Sequence, residues 1–178
     1  MDSINKNQEE KNHESLAGTA AIEKIKELTE KAESCFFCTR ITQGMEIKTR
    51  PMSMQEIDAQ GNLWFLSASD SYKNQEIEED PSVQLFFQGS THSDFLSLYG
   101  KATISTDKNR IGALWKPILK TWFTEGRDDP RITVIRVSPV SGYYWDTKHG
   151  NAVAFVKMVA GAISGKTMDD SIEGKITV

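Results

Sequence analysis

The chain has 178 residues, of which 38% are hydrophobic and 26% charged, a composition typical of one globular domain with a full core. Its formal net charge of -4 is opposite in sign to the basic surface that nucleic-acid binding requires. Residues Met1–Glu14 are polar, and the apolar stretch Ala152–Ser164 is too short to span a bilayer. We therefore expect a cytoplasmic protein without a nucleic-acid or membrane partner.

In chain order, residues 1–18 are predicted to form a flexible tail and residues 19–178 a single domain. Thr19 is placed to cap a first helix, in which Ile22, Ile25 and Leu28 recur at helical spacing. Helices are predicted at residues 20–33, 72–79, 108–115 and 152–163. Strands are predicted at residues 34–42, 47–57, 63–67, 82–88, 95–105, 132–137 and 141–146.

Turn residues mark the breaks between these strands. Asp58–Asn62 predicts a hairpin turn, and Gly100 predicts a bulge or a close backbone approach within a long strand. Pro51 is expected at a sheet edge or bulge, and Pro139 in a turn that separates the last two strands. Short strands joined by such turns favour a mainly β fold, a closed or nearly closed antiparallel barrel with flanking helices.

Two neighbouring predicted strands bring together side chains suited to binding an anion. Arg50 lies on the first strand and Lys73 follows the second, so a guanidinium and an ammonium can converge on one anion. Ser67 and Ser71 add hydroxyl donors, and a helix beginning at Tyr72 adds a partial positive charge. The apolar surface between them can hold a flat ring, and flavin mononucleotide (FMN) combines a ring with a phosphate. The alternative is that Lys73 is a solvated lysine among acidic side chains.

The four tryptophans offer aromatic faces for stacking on a flavin. Trp64 and Trp122 are expected instead to fill the barrel or dimer core. Trp145, which precedes Asp146 close to a loop, is expected to form a pocket wall.

Cys35 and Cys38 have the Cys-x-x-Cys spacing of thiol–disulfide sites. The residues around them are apolar and aromatic and predict a buried strand, whereas such sites normally open a helix, so a core role is expected. No second cysteine pair or close histidine pair completes a four-ligand zinc site, and no metal is expected. The pattern identifies no catalytic residue.

Nine short motifs occur in this chain, namely Arg50-Pro51-Met52, Gly61-Asn62-Leu63-Trp64-Phe65, Ser69-Asp70-Ser71-Tyr72-Lys73, Asp80-Pro81-Ser82-Val83, Leu98-Tyr99-Gly100-Lys101-Ala102, Leu114-Trp115-Lys116-Pro117, Trp122-Phe123, Asp129-Pro130-Arg131 and Tyr144-Trp145-Asp146. In this order they resemble the FMN-binding split-barrel superfamily, which includes pyridoxamine 5′-phosphate oxidase. The chain is most similar to the general stress protein subgroup, and the resemblance extends from about Thr19 to the C-terminus.

This resemblance implies a six-stranded Greek-key split barrel that forms a homodimer with two flavin sites at its interface. The resemblance also implies which residues contact each part of the cofactor. The strand Arg50–Gln55, which includes Pro51, Met52 and Ser53, would lie along the isoalloxazine ring. Leu66 and Ser67 would touch the ribityl phosphate, and Tyr72 and Lys73 would hold the phosphate. Trp115 or Trp145 of the partner subunit would cover the ring.

Departures from the oxidase pattern narrow the expected function. No basic cluster lies near the C-terminus, and Phe95-Leu96 stand where the oxidases have a glutamine near the flavin, so oxidation of a pyridoxamine-type substrate is not expected. The resemblance implies an FMN-dependent oxidoreductase whose substrate is unknown. The alternatives are a non-catalytic flavin carrier or sensor, and a barrel that binds FAD, a deazaflavin or haem.

Overall fold

The structure is a computed structural model that describes residues 12–42, 44, 46–150, 156–157 and 170–178. Its helices are α1 (Thr19–Ala32), α2 (Tyr72–Glu79) and α3 (Lys108–Leu114), with short 3-10 turns at Pro117–Thr121 and Gly126–Asp128. Its strands are β1 (Leu16–Ala17), β2 (Ser34–Thr39), β3 (Lys48–Ser53), β4 (Glu56–Ile57), β5 (Leu63–Ala68), β6 (Ser82–Gln88), β7 (Phe95–Ser105), β8 (Ile132–Thr147) and β9 (Ser171–Thr177).

The strands form one sheet whose order along the main path is β1-β9-β8-β7-β6-β2-β3. The long strand β8 pairs with β7 on one side, and on the other side with β5 through its first half and β9 through its second half. Strand β3 pairs with β2 at one end of the sheet, and β4 pairs with β5 at the other. The chain runs directly from β3 to β4 and so links these two ends. The predicted mainly β class with flanking helices is confirmed. The described residues form nine strands, more than the six expected, and β1, β4 and β9 are the short or terminal additions.

The predicted turn at Pro139 is wrong, because β8 continues through this residue. Tyr99 pairs with Ser141 while Gly100 pairs with Pro139, so Val140 is an extra residue in β8. The predicted irregularity at Gly100 is therefore confirmed. A Cβ atom on Gly100 would lie 2.7 Å from a carbonyl oxygen of β8, which explains the glycine. A bulge tolerates the missing N–H of a proline, and this allows Pro139 to lie inside a strand.

The first described residues pair with the C-terminal strand β9, a strand that sequence patterning did not predict. Leu16 pairs in parallel with Ile176, and Tyr144 on β8 pairs with Gly174 on β9. Residues 12–18, assigned to the predicted tail, thus lie beside the sheet. Of the helix predicted at residues 152–163, only residues 156 and 157 are described, and they are helical; the rest lies outside the described residues.

Two apolar clusters position the functional site. The larger one fills the barrel and is covered by α1, and its Phe37 and Phe65 rings meet edge to face at 5.4 Å between centroids. The smaller one lies outside β5, where α3 and the following turn cover Leu66. Each fully buried phenylalanine or leucine contributes about 1.5–3 kcal/mol. These clusters hold β3, β5 and the turn after α3 in fixed positions around a cleft.

None of the helices within the described ranges is long and apolar enough to cross a membrane.

Candidate functional site

A cleft of about 600 Å³ lies between β3, the end of β5 and the segment that follows α3. Much of its wall is apolar, and among the described residues that line it Lys73 is the one titratable side chain. The sequence-predicted site residues that the structure brings together here are Pro51, Met52, Ser53, Leu66, Ser67 and Lys73. Gln55, the end of the strand expected along the ring, also lines the cleft. The lining residues that the sequence did not assign to the site are Ser34, Ala68, Leu119, Trp122 and Phe123.

The β3 wall of the cleft is an edge of the sheet. Within the described part of the chain, β3 has β2 as its one strand partner, so backbone groups on its other side are open to a ligand. Met52 points into the core, whereas Pro51 and Ser53 are exposed. Pro51 has no N–H to leave unsatisfied at this edge, as the sequence predicted. This wall can therefore lie along a flat ring.

The polar end of the cleft is fixed by a hydrogen-bond network between β5, α2 and β8. Ser67 Oγ donates to Asn74 Oδ1 at 2.8 Å, and Asn74 Nδ2 donates to Thr133 Oγ1 at 2.9 Å. Thr133 Oγ1 in turn donates to the Ser67 carbonyl at 3.0 Å. Sequence patterning did not identify Asn74 or Thr133. They hold the start of α2 against the end of β5, which places Ser67 and Lys73 on the same side of the cleft.

Ser71 lies at the N-cap position of α2, as predicted, but its side chain does not bond to the helix N–H groups. Its hydroxyl lies 3.2 Å from Asn74 Oδ1 and 3.1 Å from Ser67 Oγ. The N–H groups of the first helical turn thus have no side-chain cap. Such groups are ready to bind an anion.

Lys73 is a half-buried cation without a counter-ion. It forms no hydrogen bond or salt bridge with any residue that the structure describes. Burial and the nearby Arg50 charge lower the pKa of Lys73, against the opposite influence of Glu76 and Asp70. The alternative of a fully solvated lysine does not match this environment. An unpaired, partly desolvated ammonium favours an anionic ligand.

Arg50 does not line the cleft. Its two terminal nitrogens donate to Thr39 Oγ1 and to Glu76 Oε2, both at 2.7 Å, and Thr39 Oγ1 donates to Glu76 Oε2 at 2.6 Å. Burial alone would raise the pKa of Glu76, but the hydrogen bonds from Thr39 and Arg50 outweigh it and lower the pKa. Arg50 is thus neutralised locally by a buried carboxylate. Its predicted role as a phosphate ligand stays a prediction.

The aromatic residues lie differently from the sequence prediction. Trp122 does not fill the barrel core, because its side chain is 63% exposed and lines the cleft, and a place in a dimer core stays a prediction. Trp115 lies outside the cleft and packs against Phe123 at 6.4 Å between ring centroids. Tyr72 is 80% exposed and is not part of the cleft wall. Trp64 packs against the smaller apolar cluster, with the Arg110 guanidinium 3.9 Å from its ring centroid.

A second groove of about 500 Å³ adjoins the first, since Ser34 and Pro51 line both. Trp145 lies in this groove rather than in the cleft, together with Phe36, Phe86 and other residues. None of the described residues that line it is charged. Three of its aromatic side chains, Phe36, Phe86 and Trp145, are exposed on the protein surface. This concave, aromatic surface lies directly beside the β3 wall.

The cysteines are free thiols buried on β2. Burial, and then the proximity of Cys38, raise the pKa of Cys35 to about 12, so it is protonated at neutral pH. A nucleophilic or redox cysteine needs a lowered pKa, so this environment fits the predicted core role. Among the residues that the structure describes, no group of histidine, cysteine and acidic side chains has the arrangement of a metal site.

Residues 8–169 match the family model described as pyridoxamine 5′-phosphate oxidase like. A curated relative, protein bli-3 of Neurospora crassa, is 33% identical over 139 residues. That alignment covers 72% of this chain and 66% of the relative, slightly less than two thirds of its length.

Solved structures share the fold. A proposed general stress protein 26 from Jannaschia sp. CCS1 superposes with a TM-score of 0.73 at 21% identity, covering 88% of this chain and 97% of that protein. The general stress FMN/FAD-binding protein of Xanthomonas citri superposes with a TM-score of 0.56 at 22% identity, covering 67% of this chain and 82% of that protein. At these identities the likeness shows a common split-barrel fold, as the sequence resemblance implied.

Proposed function

Because the chain belongs to the pyridoxamine 5′-phosphate oxidase-like family, we propose that it is a flavin-binding protein of the general stress type and that its cleft takes FMN. The observation that carries this proposal is Lys73, an unpaired and half-buried cation at one end of a cleft whose other walls are largely apolar. A ligand with one anionic end and one flat apolar end satisfies both parts of such a site.

The lining residues suggest how FMN lies in the cleft. The isoalloxazine ring would lie along the open edge of β3 at Pro51–Ser53, with Leu66 beneath it. The phosphate would accept hydrogen bonds from Lys73 and Ser67, and from the N–H groups at the start of α2. The bound flavin would supply hydride or electron transfer, and the protein would orient it and exclude water.

FMN is preferred over the other flat ligands because the cleft presents one unpaired cation. FAD would need a second place for its adenylate, although the Xanthomonas citri protein is described as FMN/FAD-binding. The test is an absorption spectrum of the purified protein, with mass identification of the released ligand and titration with FMN, FAD, a deazaflavin and haem. A flavin spectrum with FMN as the tightest ligand supports the proposal. A haem or deazaflavin spectrum, or no binding of FMN, refutes it.

We propose an oxidoreductase role in preference to a non-catalytic carrier or sensor, following the family resemblance. Of the cleft-lining residues in the described ranges, Lys73 is the one that is titratable, so the chemistry would depend on the cofactor rather than on a protein acid or base. Steady-state assays of the FMN-loaded protein with reduced nicotinamides and oxygen or quinone acceptors separate these roles. Turnover well above the rate of free flavin supports an enzyme, whereas no turnover with any acceptor supports a carrier or sensor.

The second groove supports the proposed homodimer. Phe36 and Phe86 are 59% and 46% exposed, which is unusual for a monomer surface. A second copy seated on this groove would bury them and bring its own Trp145 towards the β3 wall, where it can cover a bound ring. Sedimentation analysis tests this assembly, and the wild type should be dimeric whereas Phe86→Glu should be monomeric. The control Ile118→Glu, at an exposed position outside the cleft and the second groove, should remain dimeric. A monomeric wild type contradicts the proposal.

FMN binding should weaken at alkaline pH. A phosphate monoester is doubly charged above about pH 6, and its partner must be a protonated lysine. Because the pKa of free Lys73 is lowered by burial and by Arg50, affinity should fall with rising pH before an ordinary lysine would lose its proton. The measurement is the ratio of the dissociation constants for riboflavin and FMN from neutral to alkaline pH. Both ligands share the ring, so a change in this ratio reports on the phosphate alone. A ratio that stays constant with pH contradicts the assignment.

A further inference from the structure

Trp122 is an exposed aromatic side chain on a fixed backbone. It directly follows the 3-10 turn Pro117–Thr121, and its N–H donates to the Leu119 carbonyl at 3.0 Å. The next residue, Phe123, donates to the same carbonyl at 3.0 Å and is buried in the smaller apolar cluster with Leu119. The indole is therefore presented to the cleft by a segment whose backbone and flanking side chains are anchored.

The position of Trp122 leaves a large apolar surface in water. Its side chain is 63% exposed even though it borders a cleft with apolar walls. Folding alone does not account for this placement, because exposing an indole forgoes the free energy of its burial. Ligand pockets, in contrast, commonly present aromatic side chains that become covered when the ligand binds.

The cleft has two walls made by different parts of the chain. Pro51–Ser53 on β3 form one wall, and Leu119, Trp122 and Phe123 form another. Of these residues, Trp122 alone has an aromatic ring that is both exposed and next to the space for the ligand. An indole packs against another flat ring in an offset-stacked or an edge-to-face arrangement, and an exposed indole on a cleft wall can adopt the offset-stacked one.

We propose that Trp122 stacks on the flat ring of the ligand and holds it against the β3 wall. This inference rests on the proposed function, since it assumes a flat heteroaromatic ligand in the cleft. It assigns the two ends of the ligand to separate residues: Trp122 binds the ring and Lys73 binds the phosphate.

The test compares Trp122→Ala with wild type in titrations with both FMN and riboflavin, which lacks the phosphate. Stacking of a flat heteroaromatic ring on an aromatic side chain is lost on alanine substitution with an effect of about five- to 150-fold in the dissociation constant. The same loss should appear for both ligands, because both carry the ring. Trp122→Phe, which keeps an aromatic face, should recover most of the affinity.

Ile118→Ala is the matched control, because Ile118 lies on the same turn, is 66% exposed and does not line the cleft. It should leave both affinities unchanged, and the melting temperatures of all three variants should match the wild type. Wild-type affinity in Trp122→Ala, or loss for FMN but not riboflavin, overturns the inference while leaving the proposed function intact. If the wild type binds neither flavin, the proposed function itself fails.

Discussion

Replacing Lys73 with glutamine is expected to weaken FMN binding by about 10- to 150-fold and to leave riboflavin binding unchanged. A hydrogen bond to a charged group contributes about 1.5–3 kcal/mol, which corresponds to this range of dissociation constants. Lys73 forms no salt bridge or hydrogen bond with the described residues, so its ammonium group is available to a phosphate. Riboflavin has no phosphate, so its dissociation constant should not change. Calorimetric titration of both ligands measures the effect.

Lys120→Gln is the control for a general loss of positive charge, since Lys120 lies on the neighbouring turn but outside the cleft wall. It should bind FMN like the wild type. Lys73→Gln should also keep the wild-type melting temperature, because burial already disfavours the charged form of Lys73 in the folded state. Equal losses for FMN and riboflavin would show that Lys73 supports the fold of the cleft and does not bind phosphate.

Replacing Arg50 with alanine is expected to destabilise the protein by about 3 kcal/mol. This is the lower end of the range for removing one partner of a buried ion pair, chosen because the Arg50 side chain is still 24% exposed. The change leaves the buried Glu76 carboxylate with Thr39 as its remaining hydrogen-bond donor. Chemical denaturation measures the loss, and Lys48→Ala, at an exposed lysine on the same strand, should have little effect.

The Arg50–Glu76 pair also predicts a pH dependence of stability. Because the pKa of Glu76 is lowered in the folded state, its contribution is fully present above the ordinary glutamate pKa and is lost as the pH falls through the lowered value. Arg50→Ala should lose much of this acid dependence. The double variant Arg50→Ala/Glu76→Gln should be more stable than Arg50→Ala, since it removes the uncompensated charge. If Arg50→Ala has wild-type stability, the pair does not hold the fold.

Much of the fold follows from local signals in the sequence. The bounds predicted for α2, β6 and β7 are those observed. Residues that favour caps and turns mark where these elements begin or end, namely Ser71, Pro81 and Gly89. The break predicted at Pro139 fails because a bulge opposite Gly100 accommodates the proline, and that bulge depends on pairing with a distant strand. Strand β9 is missed because its identity depends on contacts with β8 and the N-terminal segment.

The site could be predicted only in part. Pro51 on β3, Ser67 on β5 and Lys73 on α2 line one cleft. The sequence prediction that neighbouring strands bring them together is wrong, because β3 pairs with β2, whereas β5 pairs with β4 and β8. The pairing of Arg50 with Glu76 depends on how α2 packs against β2 and β3, which no local pattern encodes. The exposure of Trp122 likewise depends on the turn that precedes it. The Trp122-Phe123 motif was the available signal, but apolar character alone does not distinguish its buried ring from its exposed one.

A crystal structure of the protein grown with FMN tests the central claim most directly. We expect FMN in the cleft, with a phosphate oxygen about 3 Å from Lys73 Nζ and the isoalloxazine ring against Pro51–Ser53. FMN bound elsewhere on the protein, or bound in the cleft with its phosphate turned away from Lys73, would contradict it.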